Sequence, residues 1–332
     1  MSEKPPRVLV TGGTGYVGQL IARHLAGRGF RVRLASRQRP PEGWFSFPFE
    51  WAPLELDPQA DFATALADVD HVVHAAFQHV AGRYRGGEGD DVEGFYRANR
   101  DASLRFLTAA KTAGVKRAIF LSSRAVYGSL EGPLDETMVP EPDTHYGHVK
   151  FAVEAGLCKL CLAPPEAFAP LAVPSVTPAT PTMGFAGASL RVTGVYGLVE
   201  PLERTKWMSI ARQILDGTLE IAPRVATEVH GEDVGQAVAL LLEAPAEMAA
   251  GQVYNCSDLL LSNREIVAAL RKVLVRPGSL PERGDERSVA IMRCNRLRRL
   301  GWQPGGRARF AGTIDALAGV CGAEANEPTP FP

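Results

Sequence analysis

The run Thr11-Gly12-Gly13-Thr14-Gly15-Tyr16-Val17-Gly18 limits what this chain can fold into more than any other segment. It follows the apolar stretch Arg7-Val8-Leu9-Val10, which reads as a buried strand. It opens the segment Tyr16 to Gly27, in which Val17, Leu20, Ile21 and Leu25 recur at helical spacing. A strand, a glycine turn and a helix in that order form an anion cradle. Gly12 permits the tight turn, Gly15 lets backbone approach a pyrophosphate, and Gly18 lets helix and strand touch. The free N–H groups at the helix start, reinforced by the helix dipole, face the anion. The expectation is dinucleotide binding, with Thr14, Tyr16 and Val17 lining the cradle beside the three glycines.

The first 150 residues continue in the same rhythm. Arg31 to Ala35 and Asp70 to Ala76 read as strands, as does Arg117 to Leu121. Asp61 to Ala67, Asp91 to Ala113 and Tyr146 to Leu162 read as helices. Strand–helix units with short connections predict an α/β protein, a Rossmann-type doubly wound parallel sheet. Residues 162–188 break the pattern: six prolines and many alanines exclude a helix or a central strand, so an extended surface excursion is expected before a strand from Ser189 to Val195. Downstream, 206–215 and 233–244 read as helices and Gln252 to Cys256 as a strand. Ser262 caps a helix from Arg264 to Val275, with Glu265 as its capping-box partner. The tail 323–332 reads as frayed.

Composition excludes several classes of function. The 332 residues carry 36 basic and 37 acidic side chains, a formal charge of −1, which offers a polyanion no long-range attraction; nucleic acid is not an expected partner. There is no run of 18 apolar residues to span a membrane. Met1 to Pro6 lacks the apolar core of a signal peptide, and five cysteines, an odd number, suit a reducing compartment; a cytoplasmic location is expected. Cys158 and Cys161 form a C-x-x-C, but they continue an apolar helical face and read as buried thiols. No metal site is expected. His24, His71 and His145 are scattered, and the arginines between 293 and 309 read as a solvated face.

Two further patterns carry chemistry. The second strand ends in Ala35-Ser36-Arg37-Gln38-Arg39, where an acid would select NAD by accepting from the ribose hydroxyls. A hydroxyl followed by guanidinium groups suits a 2′-phosphate instead, so Ser36 and Arg37 predict NADP(H) over NAD(H). Tyr146 and Lys150 stand four apart, on one helical face. Ser122-Ser123 end an apolar strand 23 residues before Tyr146, at the sheet edge where ligands sit in doubly wound folds. A phenol is a poor base at neutral pH, and a neighbouring ammonium lowers its pKa by about one to three units. Tyr146 then exchanges a proton with a substrate oxygen that Ser123 holds.

Together these residues resemble the extended short-chain dehydrogenase/reductase superfamily, the branch of nucleotide-sugar epimerases, dehydratases and related reductases, over almost the whole chain. The glycine run matches the family's T-G-x-x-G-x-x-G loop, and Ser122-Ser123-Arg124-Ala125-Val126-Tyr127-Gly128 its S-x-x-V-Y-G block. The resemblance implies a catalytic set of Ser123, Tyr146 and Lys150, the last two also touching the cofactor. It implies adenine contacts at Leu56 and Asp57, ribose and pyrophosphate contacts at Ala75 and Ala76, and a cofactor contact at Asn99. Leu300-Gly301-Trp302-Gln303-Pro304 resembles its C-terminal L-G-W-x-P signature. It also implies a cofactor domain of 1–196 plus about 227–257, and a smaller substrate domain of about 197–226 plus 258–322. Finally it implies a homodimer, with Leu104, Phe106, Leu107, Leu157 and Leu160 as candidate interface residues.

The departures from the family bear on substrate. Arg124 and Ala125 stand where sugar dehydratases place an acid and a base, which argues against dehydration. In Leu190-Arg191-Val192-Thr193-Gly194-Val195-Tyr196-Gly197, Gly194 replaces an Asn that nucleotide-sugar enzymes often carry, and Ala226 replaces an Arg that grips their diphosphate, with Arg224, two residues away on the same face of an extended strand, as a candidate replacement. Arg83 and Arg85, on the segment after Ala76, are candidates for a substrate carboxylate or phosphate; Arg124 and Thr193 are further substrate candidates. The expected partner is a small molecule. The leading expectation is an NADP-dependent reductase or dehydrogenase of a small carbonyl or alcohol. The alternative is an NAD(P)-dependent sugar or nucleotide-sugar epimerase that retains its cofactor, and a non-enzymatic cofactor sensor is a third reading.

Overall fold

The computed structural model describes residues 4–79, 87–162 and 184–326. Ten strands run in chain order: β1 Arg7–Thr11, β2 Arg31–Ser36, β3 Phe49–Pro53, β4 His71–His74, β5 Arg117–Ser123, β6 Ala186–Val192, β7 Gly194–Tyr196, β8 Val225–His230, β9 Gln252–Cys256 and β10 Leu259–Ser262. The α-helices are α1 Tyr16–Gly27, α2 Ala63–Leu66, α3 Val92–Tyr96, α4 Ala102–Thr112, α5 His145–Leu162, α6 Met208–Asp216, α7 Gly231–Glu243, α8 Ala246–Ala249, α9 Asn263–Leu274, α10 Asn295–Arg299 and α11 Gly306–Asn326. A π-helical turn, Arg97–Asp101, joins α3 to α4, so the helix expected over 91–113 is continuous but locally widened.

Seven strands form a parallel sheet in the order β3-β2-β1-β4-β5-β6-β9. The chain leaves β1 towards β2 and β3, then returns to build the other half from β4 onward. The switch point between β1 and β4 therefore opens directly below the glycine run, the position at which open α/β sheets take ligands. Val8, Leu9, Val10, Val72, Val73, Ile119 and Phe120 are almost fully buried, as strands covered on both faces require.

A second sheet, β10-β8-β7, stands apart. Its own core joins Tyr196, Trp207, Met208, Ile214, Leu261, Val267, Phe310 and Leu317 between α6, α9 and α11. β7 and β8 pair in this sheet, and β8 runs across the expected boundary at 226/227. The Ser262–Glu265 capping box that starts α9 is present.

Several expectations need correction. β6 begins at Ala186 rather than Ser189, because Ala186, Gly187 and Ala188 pair with Arg117, Ala118 and Ile119, and glycine at 187 lets Leu157 of α5 lie against the strand. The rest of the proline-rich excursion, 163–183, lies outside the described residues, as do Arg83 and Arg85. α11 continues to Asn326, three residues past the expected onset of fraying. The candidate interface residues Phe106, Leu107, Leu157 and Leu160 are buried in the chain's own core, and a Cβ on Gly156 would collide with Leu104. The first four residues pack within the chain's own core, while Leu104 on α4 is partly exposed. Among the described residues, no helix is long and apolar enough to cross a membrane.

Candidate active site

The cradle is held by backbone. Gly12, at φ 65°, donates its N–H to Ala35 O at 2.9 Å, and Gly15 donates to Gly12 O at 2.8 Å. A Cβ on Gly12 would come within 2.8 Å of Ala76, and one on Gly18 would collide with Gly12 O, so both positions exclude any larger residue. Gly15 caps α1 without a side chain. Thr14 lends its carbonyl to Gln19 and Arg204, and Val17 packs partly buried against the core. The Tyr16 hydroxyl donates to Gly197 O at 2.8 Å and accepts from Lys206 N at 3.1 Å, tying α1 to the segments around the second sheet.

Below the cradle runs a chain of buried hydrogen bonds. Burial pushes the His74 pKa down to about 3, so the ring is neutral and must donate at one nitrogen and accept at the other. One direction satisfies every member. Ala76 N–H donates to Thr11 Oγ1, Thr11 donates to His74 Nδ1, His74 Nε2 donates to Ser103 Oγ, and Ser103 donates to Asn99 O. The Asn99 amide then grips the Gln78 backbone, accepting from its N at 2.6 Å and donating to its O at 2.8 Å. Asn99 thus fixes the backbone that leaves β4, with its amide turned to Gln78 and Phe95.

At the adenosine end the Ser36 hydroxyl is already committed. It donates to Gln38 O at 2.6 Å and accepts from Trp51 Nε1 at 3.1 Å, so its proton is not available to a phosphate. Arg37, next to it, is exposed. Leu56 is buried with its carbonyl on Gln78 Nε2, and Asp57 is exposed, accepting from Gln59 N.

Ser123 closes β5, where its Oγ accepts from Ala125 N at 3.2 Å and starts the turn Arg124–Tyr127. Lys150 and Tyr146 come from α5, which packs against that strand end. Lys150 Nζ donates to Leu121 O at 2.7 Å and lies 4.5 Å from the Phe77 ring centre, 4.9 Å from Phe120 and 5.7 Å from Tyr146. Burial drives the Lys150 pKa down to about 7, against an upward pull from Glu154. Phe77 stands edge-on to Tyr146 at 5.0 Å. The three residues expected to be catalytic thus share one edge of the sheet. Arg124 is turned away to Ala290 O at 3.3 Å, and Thr193 is nearly buried, 3.5 Å from Ser257.

Sequence reasoning missed Phe77 and the pair Glu154–Arg191. Both charged groups are buried, bridged at 2.6 Å, and Ser122 Oγ donates to the same carboxylate. The Arg191 guanidinium also covers the Tyr127 ring at 4.7 Å. A signal was present: Glu154 falls one turn after Lys150, and Arg191 sits inside an apolar strand, where a charge demands a partner.

The strand reversal at a glycine cradle defines a Rossmann-type α/β fold. Residues 8–165 match the model of the NAD dependent epimerase/dehydratase family. It is 34% identical to a UDP-glucose 4-epimerase of Rhizobium leguminosarum bv. trifolii over 152 residues, which is 45% of this chain and 46% of that protein. The chain therefore spans just under half the length of that relative. It is 28% identical to a UDP-glucose 4-epimerase of Streptomyces lividans across 93% of this chain and 94% of that one. Among solved structures, MoeE5 in complex with UDP-glucuronic acid and NAD shares the fold at a TM-score of 0.74 and 21% identity, covering 95% of this chain and 99% of that one.

Proposed function

We propose that the chain is an enzyme that inverts or oxidises a hydroxyl-bearing carbon, or reduces the corresponding carbonyl, with a nicotinamide dinucleotide. The observation that carries this reading is the convergence of Ser123, Tyr146 and Lys150 at the carboxyl edge of a sheet whose switch point is a backbone cradle. The cradle fits a dinucleotide, since a Cβ would obstruct it at Gly12 and Gly18. Gly12, Gly15 and Gly18 would hold the pyrophosphate, with Asp57, Ala75 and Ala76 along the nucleotide. When bound, the cofactor supplies the hydride donor or acceptor. Ser123 holds the substrate oxygen, and Tyr146 gives or takes its proton. Lys150, charged below about pH 7, lowers the phenol pKa and is kept in place by Leu121 O.

The full-length likeness to UDP-glucose 4-epimerases favours epimerisation at a sugar carbon with retained cofactor. The reductase reading is favoured by the cleft itself, where Gly194 and Ala226 present no polar side chain. On the cofactor, β2 ends without an acid and Arg37 is exposed, which favours NADP(H); tighter NADH binding would overturn that preference. The deciding experiment is to purify the protein, denature it and identify any released nucleotide by mass spectrometry. Stoichiometric NAD(P) supports the epimerase. An empty site that then binds NADPH reversibly supports the reductase, and binding of neither cofactor removes the function while leaving the fold.

A further inference from the structure

Phe77 follows Ala75-Ala76 on the segment that leaves β4, and two neighbours hold it in place. Asn99 grips the backbone of the next residue, Gln78, at 2.6 and 2.8 Å, and the Phe95 ring stands edge-on to the Phe77 ring at 5.6 Å. Held so, the ring meets both members of the pair on α5. Lys150 Nζ lies over its face, 4.5 Å from the centre, and the Tyr146 ring meets it at 5.0 Å with the planes 78° apart. Nζ and the Tyr146 ring centre are 5.7 Å apart.

An ammonium on a residue only 4% exposed needs compensation for the water it has lost. The hydrogen bond to Leu121 O supplies part, and the faces of Phe77 and Phe120 add the attraction of their ring quadrupoles. The two rings are not equivalent. Phe120 is a core residue of β5, stacked on His74 at 5.8 Å, and the fold alone accounts for it. Phe77 is half-buried and lies outside the strands. An aromatic face there does what a carboxylate cannot: it favours the ammonium without adding a negative charge that would oppose ionisation of the phenol.

The titratable and charged groups that face Lys150 come from two elements and the segment beyond one of them. On α5 they are Tyr146 and Glu154, whose carboxylate is bridged to Arg191 of β6. On β4 it is His74, which burial keeps neutral, and beyond β4 it is His79, whose pKa burial and the Lys150 charge push down. Burial holds the Lys150 pKa at about 7, so the loss of a ring face is readable within an ordinary pH range. We propose, on the hydride-transfer reading of the site, that Phe77 is a positioning residue: its ring sustains the Lys150 ammonium and seats it beside the Tyr146 phenol with no counter-charge of its own.

The test is the titration of Lys150 in cofactor-free protein, followed by NMR of 13C-labelled lysine side chains, with the Lys150 signal assigned by its loss in Lys150→Met. Phe77→Leu keeps the surroundings apolar and removes the ring face, so the Lys150 midpoint should fall by at least about 0.5 pH unit. Phe77→Tyr keeps the face and should leave the midpoint within about 0.2 unit of wild type. A smaller fall or a rise in Phe77→Leu overturns the proposal, as does an equal fall in Phe77→Tyr. If Phe77→Leu does not fold, Phe77→Met, which also lacks a ring and fills the space flexibly, is read by the same limits. NADH and NADPH are titrated separately into wild type. Binding of neither removes the hydride-transfer reading, while the Lys150 midpoints, measured without cofactor, still decide whether Phe77 sustains the charge.

Discussion

Lys150 and Lys206 are both largely buried, yet their surroundings treat the charge in opposite ways. Lys206 has the carboxylate of Glu228 at 2.5 Å. Lys150 has a backbone carbonyl and the faces of Phe77 and Phe120, while the carboxylate one turn further along its helix, Glu154, is held by Arg191 and Ser122. An ammonium with a full counter-ion is electrically closed, although burial still lowers the Lys206 pKa against the pull of Glu228. One that lacks it keeps its field available to a neighbouring phenol, at the cost of a pKa that burial pushes down to about 7. The same side chain is thus held with its field closed or open by placing or withholding one carboxylate.

The largest expected effect lies on the Lys150 side. Tyr146→Phe should lower kcat by about 10²–10⁴-fold, the range for loss of a positioned acid–base group, while cofactor affinity stays within about twofold. Steady-state kinetics with cofactor titration checks both halves; unchanged turnover would break the proposed division between the two lysines.

Next comes the clamp behind Lys150. Glu154→Ala leaves Arg191 buried without its partner, and the expected loss of stability is about 3–5 kcal/mol in urea unfolding. Glu154→Gln keeps the shape and the Ser122 contact and should cost less. Both variants remove the charge that supports protonation of Lys150, so both should move the Lys150 titration lower. A loss below about 1 kcal/mol in the alanine variant would mean that Arg191 has found another partner.

The surroundings of the two lysines were not equally legible in the sequence. The cradle, the parallel strands β1, β2, β4, β5 and β6 and the Tyr146–Lys150 spacing follow from local patterns, because a strand covered on both faces and a helical turn each leave a short-range signature. The edge strand β3 was missed where Pro48 and Pro53 flank the alternation of Phe49 and Trp51. β10 was missed because Leu259-Leu260-Leu261 has no alternation. In α11, Gly306, Gly312, Gly319 and Gly322 hide the stripe of Phe310, Ile314, Leu317 and Cys321 that anchors the second core. The ion pairs Glu154–Arg191 and Lys206–Glu228 join residues 37 and 22 apart, brought together by packing and strand pairing that no local pattern specifies. The same holds for Gly194: its identity was visible, but the Glu228 carboxylate that a Cβ there would strike was not.

The last expected effect is a slope, small per pH unit, and it tests the contrast most directly. In cofactor-free protein, folded Lys150 gives up its proton near pH 7, whereas in the unfolded chain it keeps the proton up to the ordinary lysine value of 10.5. Between those limits the unfolded state binds more protons, so unfolding free energy rises with pH. Below about pH 7 both states are protonated and the contribution is flat, with the burial cost fully expressed. Wild type should therefore gain stability relative to Lys150→Met as pH rises from about 7 towards 10, by no more than about 1.4 kcal/mol per pH unit. Urea unfolding of both proteins at several pH values reads the difference and cancels the remaining titrating groups. Parallel curves would mean that the Lys150 charge is compensated in the folded chain, and the contrast between the two lysines would fall.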